Sequence, residues 1–193
     1  VRKKRSHAWE NEFQGKILVP FAVESSLSGV QKRVNKENEL WYQQNFEVPT
    51  TWKNKNVLLH FGAVDWIADV WINDVKVGRH QGGYTPFSFD ITPFLIKGSQ
   101  KLVVRVWDPT NDGFQPRGKQ VKKPGGIWYT PVTGIWQTVW IEAVGSSYIT
   151  QLNTVSNIDG ENISVKASVE GSLPGDLIAV DILKDGKLIS SGK

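Results

Sequence analysis

The sequence of 193 residues contains neither cysteine nor methionine. Without cysteine, no disulfide framework and no thiolate metal site can form, and the compartment cannot be inferred from cysteine usage. Because no initiator Met is present, we expect a processed chain or a piece cut from a longer protein. No signal peptide pattern stands at the N-terminus.

Long apolar runs are also missing. None approaches the ~20 residues that a membrane-spanning helix requires, so we expect no membrane span. The three histidines, His7, His60 and His80, are scattered without the spacing of metal ligands. We therefore expect no metal site, and no motif indicates a cofactor.

The net charge of +4 is modest, and much of it lies in two places. One is the basic run at residues 2–5, which is typical of a solvated terminal tail. The other is the group Arg117, Lys119, Lys122 and Lys123. Nucleic-acid binding would need aromatic residues interleaved with basic residues along one face. That pattern is absent, so we expect no nucleic-acid partner.

Aromatic residues and short alternating segments are what the sequence has in abundance. Nine tryptophans are present, and large rings serve both protein cores and the flat faces of sugars. Apolar residues alternate over residues 64–72, and Asn73-Asp74 then indicates a tight hairpin turn. Further strands are predicted at residues 40–48, 56–62, 84–90, 101–108 and 134–144. The only helical candidate is a single turn at residues 92–95.

Many short strands, none alternating with a helix, predict an all-β fold, a jelly-roll β-sandwich. Aromatic residues end at Tyr148, and smaller strands are predicted afterwards at residues 149–155, 162–169 and 176–183. These resemble part of an immunoglobulin-like sandwich but supply about half of the ~100 residues that such a domain needs. We therefore predict a jelly-roll domain at residues 1–144 and a truncated immunoglobulin-like β-sandwich domain at residues 145–193.

Five ordered stretches resemble the N-terminal sugar-binding domain of glycoside hydrolase family 2, the β-galactosidase, β-glucuronidase and β-mannosidase group. They cover nearly all of the first 144 residues. These stretches are ILVPFAVESSLSGV from residue 17, LWYQQNFEVPTTW from residue 40, VLLHFGAVDWIADVWINDVKVGRHQGGYTPFSFDIT from residue 57, LVVRVWD from residue 102 and TGIWQTVWIE from residue 133.

The resemblance implies a parent enzyme whose later (α/β)8 barrel carries two catalytic Glu residues about 5 Å apart. This sequence stops before such a barrel, and we nominate none of its residues as catalytic. The expected partners are carbohydrate, the remaining immunoglobulin-like and barrel domains, and further copies of the chain in a homo-oligomer. By analogy with the family, we expect a bacterial periplasmic or cell-surface protein.

The polar and aromatic loop at residues 108–129 is the strongest candidate for a functional segment. Arg117, Lys119 and Gln120 could donate hydrogen bonds to sugar hydroxyls, with Trp128 or Tyr129 as a stacking surface. The alternative is that the loop packs on the barrel and only shapes the rim of its active site.

Two other positions carry a specific expectation. Glu24 could reach a substrate, although a carboxylate that is solvated or accepts backbone amides explains it as well. In lactose-type β-galactosidases, an Asp reaches the active site from a position that corresponds to the neighbourhood of Trp128. A Trp there favours stacking over hydrogen bonding and argues against galactose recognition by that route.

Two other classes of function fit the same residues. A stand-alone carbohydrate-binding module would bind glycan without cleaving it, and a scaffold domain would only mediate oligomer contacts. A barrel with two Glu on its strand ends after Lys193 would indicate the enzyme, whereas a stop codon or an anchoring domain there would indicate the module.

Overall fold

The structure is a computed structural model, which describes the backbone of residues 2 and 3 and the whole of residues 13–193. The chain divides into two compact units, Val1–Ala143 and Val144–Lys193. Lys4, Arg5 and His7 lie outside the described residues.

The first unit is an antiparallel β-sandwich, as the alternating sequence pattern predicts. Five strands pair in the order β1-β2-β8-β5-β6, three pair in the order β10-β3-β7, and β4 pairs with β9. The strands are β1 (Arg2–Lys3), β2 (Asn38–Phe46), β3 (Asn56–Phe61), β4 (Val64–Asp65), β5 (Ile67–Ile72), β6 (Val75–Gln81), β7 (Phe87–Asp90), β8 (Gln100–Trp107), β9 (Gly134–Ile135) and β10 (Val139–Val144).

The core lies between these sheets, because every second residue of each central strand points inward. Strands β5 and β8 contribute small and branched side chains, and β3 contributes the fully buried Phe61. Phe61 stacks on Phe87 of β7 with ring centroids 4.7 Å apart. The main buried members are Leu40, Val57, Leu59, Phe61, Ala68, Val70, Ile72, Leu102, Val104, Val106 and Ile135.

Local backbone chemistry confirms two of the predicted turns. Asn73 and Asp74 both have positive φ, 49° and 66°, and join β5 to β6 as a two-residue hairpin. The predicted single helical turn is a 3-10 turn at Thr92–Phe94. Its first amide, the N–H of Thr92, donates to Asp90 Oδ1 at 2.9 Å.

The structure divides two segments that were each predicted as one strand. Residues 64–72 form β4 and β5, and residues 134–144 form β9 and β10, with residues 136–138 between them. The positive φ of Gly134, +91°, lies at the start of β9 and not at the break before β10. Between β9 and β10, the N–H of Trp136 still donates to the carbonyl of Ala63, so the segment stays attached to the sandwich.

The outer face of the five-stranded sheet carries a buried ion-pair network. Arg105 of β8 donates to Glu39 of β2 at 2.5 Å and to Asp69 of β5 at 2.6 Å, and Lys76 pairs with Asp69 at 2.6 Å. Trp41 and Trp71 stack beside it with ring centroids 5.7 Å apart. Burial alone would raise the pKa of Asp69, but the hydrogen bonds from Lys76 and Arg105 bring it below its ordinary value.

The second unit consists of two hairpins. β11 (Tyr148–Asn157) pairs with β12 (Asn162–Glu170), and β13 (Val180–Lys184) pairs with β14 (Lys187–Gly192). The hairpins occupy separate two-stranded sheets. Apolar side chains such as Leu152, Leu177 and Leu188 are exposed. Within the described residues, the unit therefore has strands in the alternation of a sandwich but no closed core.

We predict that Arg105→Met lowers the free energy of unfolding by about 2–3 kcal/mol, because Met leaves the buried Glu39 without a cationic partner and Asp69 with Lys76 alone. Urea unfolding at pH 7 measures this loss. Because the pKa of Asp69 is depressed, its stabilising contribution is present above about pH 4 and is lost as the pH falls.

The matched control is Lys101→Met, which breaks the more exposed pair between Lys101 and Asp74. Its expected cost is below about 0.5 kcal/mol. Equal losses for the two variants would show that the buried network contributes no more than a surface ion pair.

Candidate functional site

Three buried or half-buried carboxyl groups meet where several loops of the first unit converge. Glu24 precedes the 3-10 turn Ser26–Ser28, Asp65 ends β4, and Asp108 directly follows β8. Glu24, Asp65 and Asp108 are called the carboxyl cluster below. They lie near enough that the charge of Asp108 influences the pKa of both other members.

Thr133 connects two members of this cluster. Its backbone N–H donates to Glu24 Oε2 at 3.0 Å, and its hydroxyl donates to Asp108 Oδ2 at 3.1 Å. The other oxygen of Asp108 accepts the N–H of Thr110 at 2.7 Å. Glu24 Oε1 is buried and has no hydrogen-bond partner among the described residues. The end of the long loop (residues 108–133) is therefore fixed beside β9 by a single residue, Thr133, through its backbone N–H and its hydroxyl.

Asp65 receives its hydrogen bond from Gln120, in the middle of the long loop. Gln120 Nε2 donates to Asp65 Oδ2 at 3.2 Å and approaches the hydroxyl of Tyr84 at 3.4 Å, while Gln120 Oε1 accepts the N–H of Val132. A Cβ atom on Gly83 would lie 2.7 Å from Asp65 Oδ1. The side chain of Asp65 thus occupies space that only glycine leaves open at position 83.

Tyr42 of β2 closes the cluster on its core side. Its hydroxyl accepts the N–H of Ile135 at 3.3 Å, and it lies where a side chain on Gly134 would stand. Burial and the nearby charge of Glu24 raise the pKa of Tyr42. Gly134 is required both for its positive φ and for this close approach.

Burial raises the pKa of all three carboxyl groups. For Asp65, burial and the charge of Asp108 raise the pKa to about 7, although the hydrogen bond from Gln120 acts in the opposite direction. Burial also raises the pKa of Glu24, although hydrogen bonds from Thr133 act in the opposite direction. Burial raises the pKa of Asp108 against the hydrogen bonds from Thr110 and Thr133. The cluster therefore holds protons to higher pH than ordinary carboxylates do.

The long loop folds back on itself beyond Gln120. The N–H of Tyr129 donates to the carbonyl of Lys119 at 2.9 Å, and the N–H of Val121 donates to the carbonyl of Tyr129 at 3.1 Å. A reciprocal pair of backbone hydrogen bonds joins Gly125 to Trp128. The segments 119–121 and 128–129 therefore lie side by side, with residues 122–127 as the tip.

Five of the six predicted site residues lie on this loop, and the structure places Lys119 beside Tyr129. Lys119 is exposed and Arg117 half-buried; Trp128 and Tyr129 are 44% and 62% exposed. The ammonium of Lys119 lies 5.8 Å from the centre of the Tyr129 ring. Gln120 instead directs both ends of its amide to protein atoms.

Glu24, the sixth predicted residue, lies in the carboxyl cluster and accepts a backbone amide. Sequence reasoning missed the importance of Asp65, Thr133 and Tyr42. One signal was present, since Asp65 interrupts a strongly apolar segment at a position where a charge has no obvious partner.

One cleft of the first unit has a volume of about 810 Å³ and is lined by residues of β2, β8 and β10 and by residues 13–20. Tyr42 lines it, but no member of the carboxyl cluster does. Among the described residues, no group of three His, Asp or Glu side chains has the geometry of a metal site. No helix in this part of the chain is long and apolar enough to span a bilayer.

An antiparallel sandwich with polar and aromatic loops gathered together belongs to the class of jelly-roll domains, which includes lectins. The comparisons with known proteins narrow this class. The profile of "Glycosyl hydrolases family 2, sugar binding domain" matches residues 8–141. The chain therefore belongs to glycoside hydrolase family 2, and the matched region is its sugar-binding domain.

Individual relatives agree with this assignment. The chain is 30% identical over 158 residues to a β-galactosidase of Thermoanaerobacter pseudethanolicus, covering 78% of this chain and 20% of the relative. It is 34% identical over 136 residues to a β-glucuronidase of Formosa agariphila, covering 67% and 14%. The chain thus spans a fifth or less of the length of these two relatives.

Solved structures show the same fold. A β-glucuronidase from an uncultured Clostridium species superposes with a TM-score of 0.68 at 19% identity, over 90% of this chain and 31% of that one. At this identity the similarity establishes the fold alone.

We predict that Asp65→Asn stabilises the protein at pH 7. Between about pH 4 and pH 7 the native state binds more protons than the unfolded state, so the free energy of unfolding falls as pH rises. Asn keeps an acceptor for Gln120 but removes the charge, and we expect a gain of roughly 2–4 kcal/mol at pH 7 that vanishes near pH 4. Urea unfolding across this range measures it, with the exposed Asp74→Asn as control.

A pH-independent difference between Asp65→Asn and the parent chain would contradict the raised pKa. A destabilised variant at pH 7 would show that the ionised carboxylate is needed by the fold.

A second prediction concerns Gln120. Gln120→Leu removes the side-chain hydrogen bonds that attach the middle of the long loop to Asp65 and Val132, and we expect trypsin to cleave after Lys119 and Lys122 about tenfold faster. Mass spectrometry of the fragments over time measures the rates. Gln44→Leu, at an exposed position of β2, is the control and should leave cleavage in the loop unchanged.

Proposed function

We propose that the chain is the non-catalytic N-terminal portion of a β-galactosidase-like family 2 glycosidase, and that it supports and rims the active site of the parent enzyme. The parent enzyme would hydrolyse O-glycosidic bonds. The observation that supports this role most directly is the long loop, which is attached internally at Gln120 and Thr133 and leaves Lys119, Trp128 and Tyr129 exposed.

A rim needs a fixed backbone and free side chains. The backbone hydrogen bonds between segments 119–121 and 128–129 provide the first, and the exposed aromatic rings provide the second. Aromatic rings stack on the apolar faces of pyranoses, and cationic side chains donate hydrogen bonds to their hydroxyl groups. The loop therefore carries the chemistry of a sugar contact without a residue that breaks bonds.

The carboxyl cluster does not serve as a catalytic pair in this proposal. A retaining glycosidase needs two carboxyl groups that flank a bound sugar. Asp65 and Asp108 are 4% exposed and direct their oxygens to Gln120, Thr110 and Thr133. Their raised pKa values follow from burial within the fold rather than from a substrate cleft.

The alternative function is a stand-alone carbohydrate-binding module without hydrolytic activity. The exposed Trp128 and Tyr129 fit that function equally well. We infer, by analogy with the family, a periplasmic or cell-surface location in a bacterium for either form. Contacts with the barrel of the parent enzyme, or with further copies of the chain, would belong to the same proposal.

Activity assays test the proposal. We expect the chain to release no nitrophenol from nitrophenyl β-galactoside, β-glucuronide or β-mannoside, because the sites of general acid and nucleophile lie outside it. Release proportional to chain concentration, and abolished by Asp65→Asn, would overturn the proposal and make the carboxyl cluster catalytic.

Calorimetry with neutral galacto-oligosaccharides and manno-oligosaccharides separates the two functions. A rim contributes only part of a binding site, so we expect a Kd weaker than about 1 mM, the range of small interaction energies. A micromolar Kd that is lost in Trp128→Ala would favour the stand-alone module.

A further inference from the structure

The distribution of charge on the long loop is one-sided. The chain has no Asp or Glu between Asp112 and Glu142, whereas Arg117, Lys119, Lys122 and Lys123 all fall in that interval. The carboxylates at its two ends are already engaged: Asp112 pairs with Lys122 and Lys36, and Glu142 pairs with His60.

Three cationic side chains of the loop form no ion pair with a carboxylate among residues 13–193. Among residues 13–193, no carboxylate lies within ion-pair distance of Arg117, Lys119 or Lys123, and Asp65 and Asp108 are buried beneath the loop. Lys119 remains close to an aromatic ring, 5.8 Å from the centre of Tyr129. Uncompensated cations held on an ordered backbone attract anions from solution.

The aromatic residues next to these cations restrict the kind of anion. Backbone hydrogen bonds hold Lys119 beside Tyr129, and Trp128 is its neighbour in the chain. A flat apolar ring face and a cationic donor within one side-chain length suit a ligand that combines a pyranose ring with an oxyanion. A neutral sugar would use only the aromatic half of this surface.

We propose that the cationic and aromatic surface of Lys119, Trp128 and Tyr129, with Arg117 and Lys123 on the same loop, binds a glycan unit that carries a carboxylate or sulfate group. This inference rests on the rim function proposed above and specifies the chemistry of the sugar that the rim contacts. The site lies on the long loop, apart from the bond-breaking residues that the parent enzyme would supply.

Matched ligand pairs test the charge requirement. Oligogalacturonate is compared with its fully methyl-esterified form, and a sulfated carrageenan oligosaccharide with its desulfated form. Binding to ¹⁵N-labelled chain is followed by NMR at the indole N–H of Trp128, assigned through Trp128→Phe. We expect at least one anionic ligand to bind about fivefold more tightly than its neutral partner, the effect of two exposed charge contacts.

Matched variants locate the effect. Lys119→Gln/Lys123→Gln, which leaves the half-buried Arg117 in place, should remove most of the fivefold preference. The control is Lys53→Gln/Lys55→Gln, which removes the same charge from an exposed turn elsewhere in the first unit and should leave the preference intact. Near-UV circular dichroism verifies that both variants keep the parent fold.

The outcomes of these binding experiments distinguish the preference for an anionic glycan from the rim function. A preference for the carboxylated pair or for the sulfated pair identifies which oxyanion the surface takes. The inference would be overturned by equal affinity for charged and neutral ligands, or by the absence of any NMR shift of the Trp128 indole N–H. It would also be overturned if both double variants reduced the preference for the anionic ligand equally. The rim function would survive those results, because it is overturned only by hydrolysis or by tight binding of neutral sugar.

Discussion

The hydrogen bonds of Thr133 are the constraint on which the loop region depends. One residue joins the first loop of the sandwich, through Glu24, to the end of β8, through Asp108, and it does so directly before β9. Buried carboxylates are unfavourable unless they are hydrogen-bonded, and here each carboxyl group accepts a hydrogen bond and has a pKa raised by burial. The cluster therefore fixes where the long loop begins and ends, and the position of the exposed side chains is a result of it.

The ion-pair network and the carboxyl cluster accommodate buried carboxyl groups in different ways. On the outer face of the five-stranded sheet, Arg105 neutralises Glu39 and Asp69, so the carboxylates there remain ionised. At the carboxyl cluster no cation is present among the described residues, and the pKa values rise instead. The first arrangement stabilises the sheets above about pH 4, and the second favours the folded state toward lower pH.

The fold could be predicted from sequence because strand alternation is local. Residues 64–72 showed which side chains face the core, and the Asn73-Asp74 turn was recognisable from residue type alone. The break at residues 136–138 between β9 and β10 was not predictable, because the alternation of apolar residues continues through it. Gln120 was expected to face a sugar, whereas its amide is used by Asp65 and Val132, contacts that a local sequence pattern does not show.

The internal attachment of the long loop has a consequence for how such domains diversify. Its conformation depends on uncharged hydrogen-bonding groups at Gln120 and Thr133, whereas the tip at residues 122–127 makes none of the contacts that build the core. Substitutions or insertions at the tip can therefore change the exposed surface of the loop with little effect on folding. The residues that hold the loop are largely distinct from its exposed side chains, so either set can change during evolution without the other.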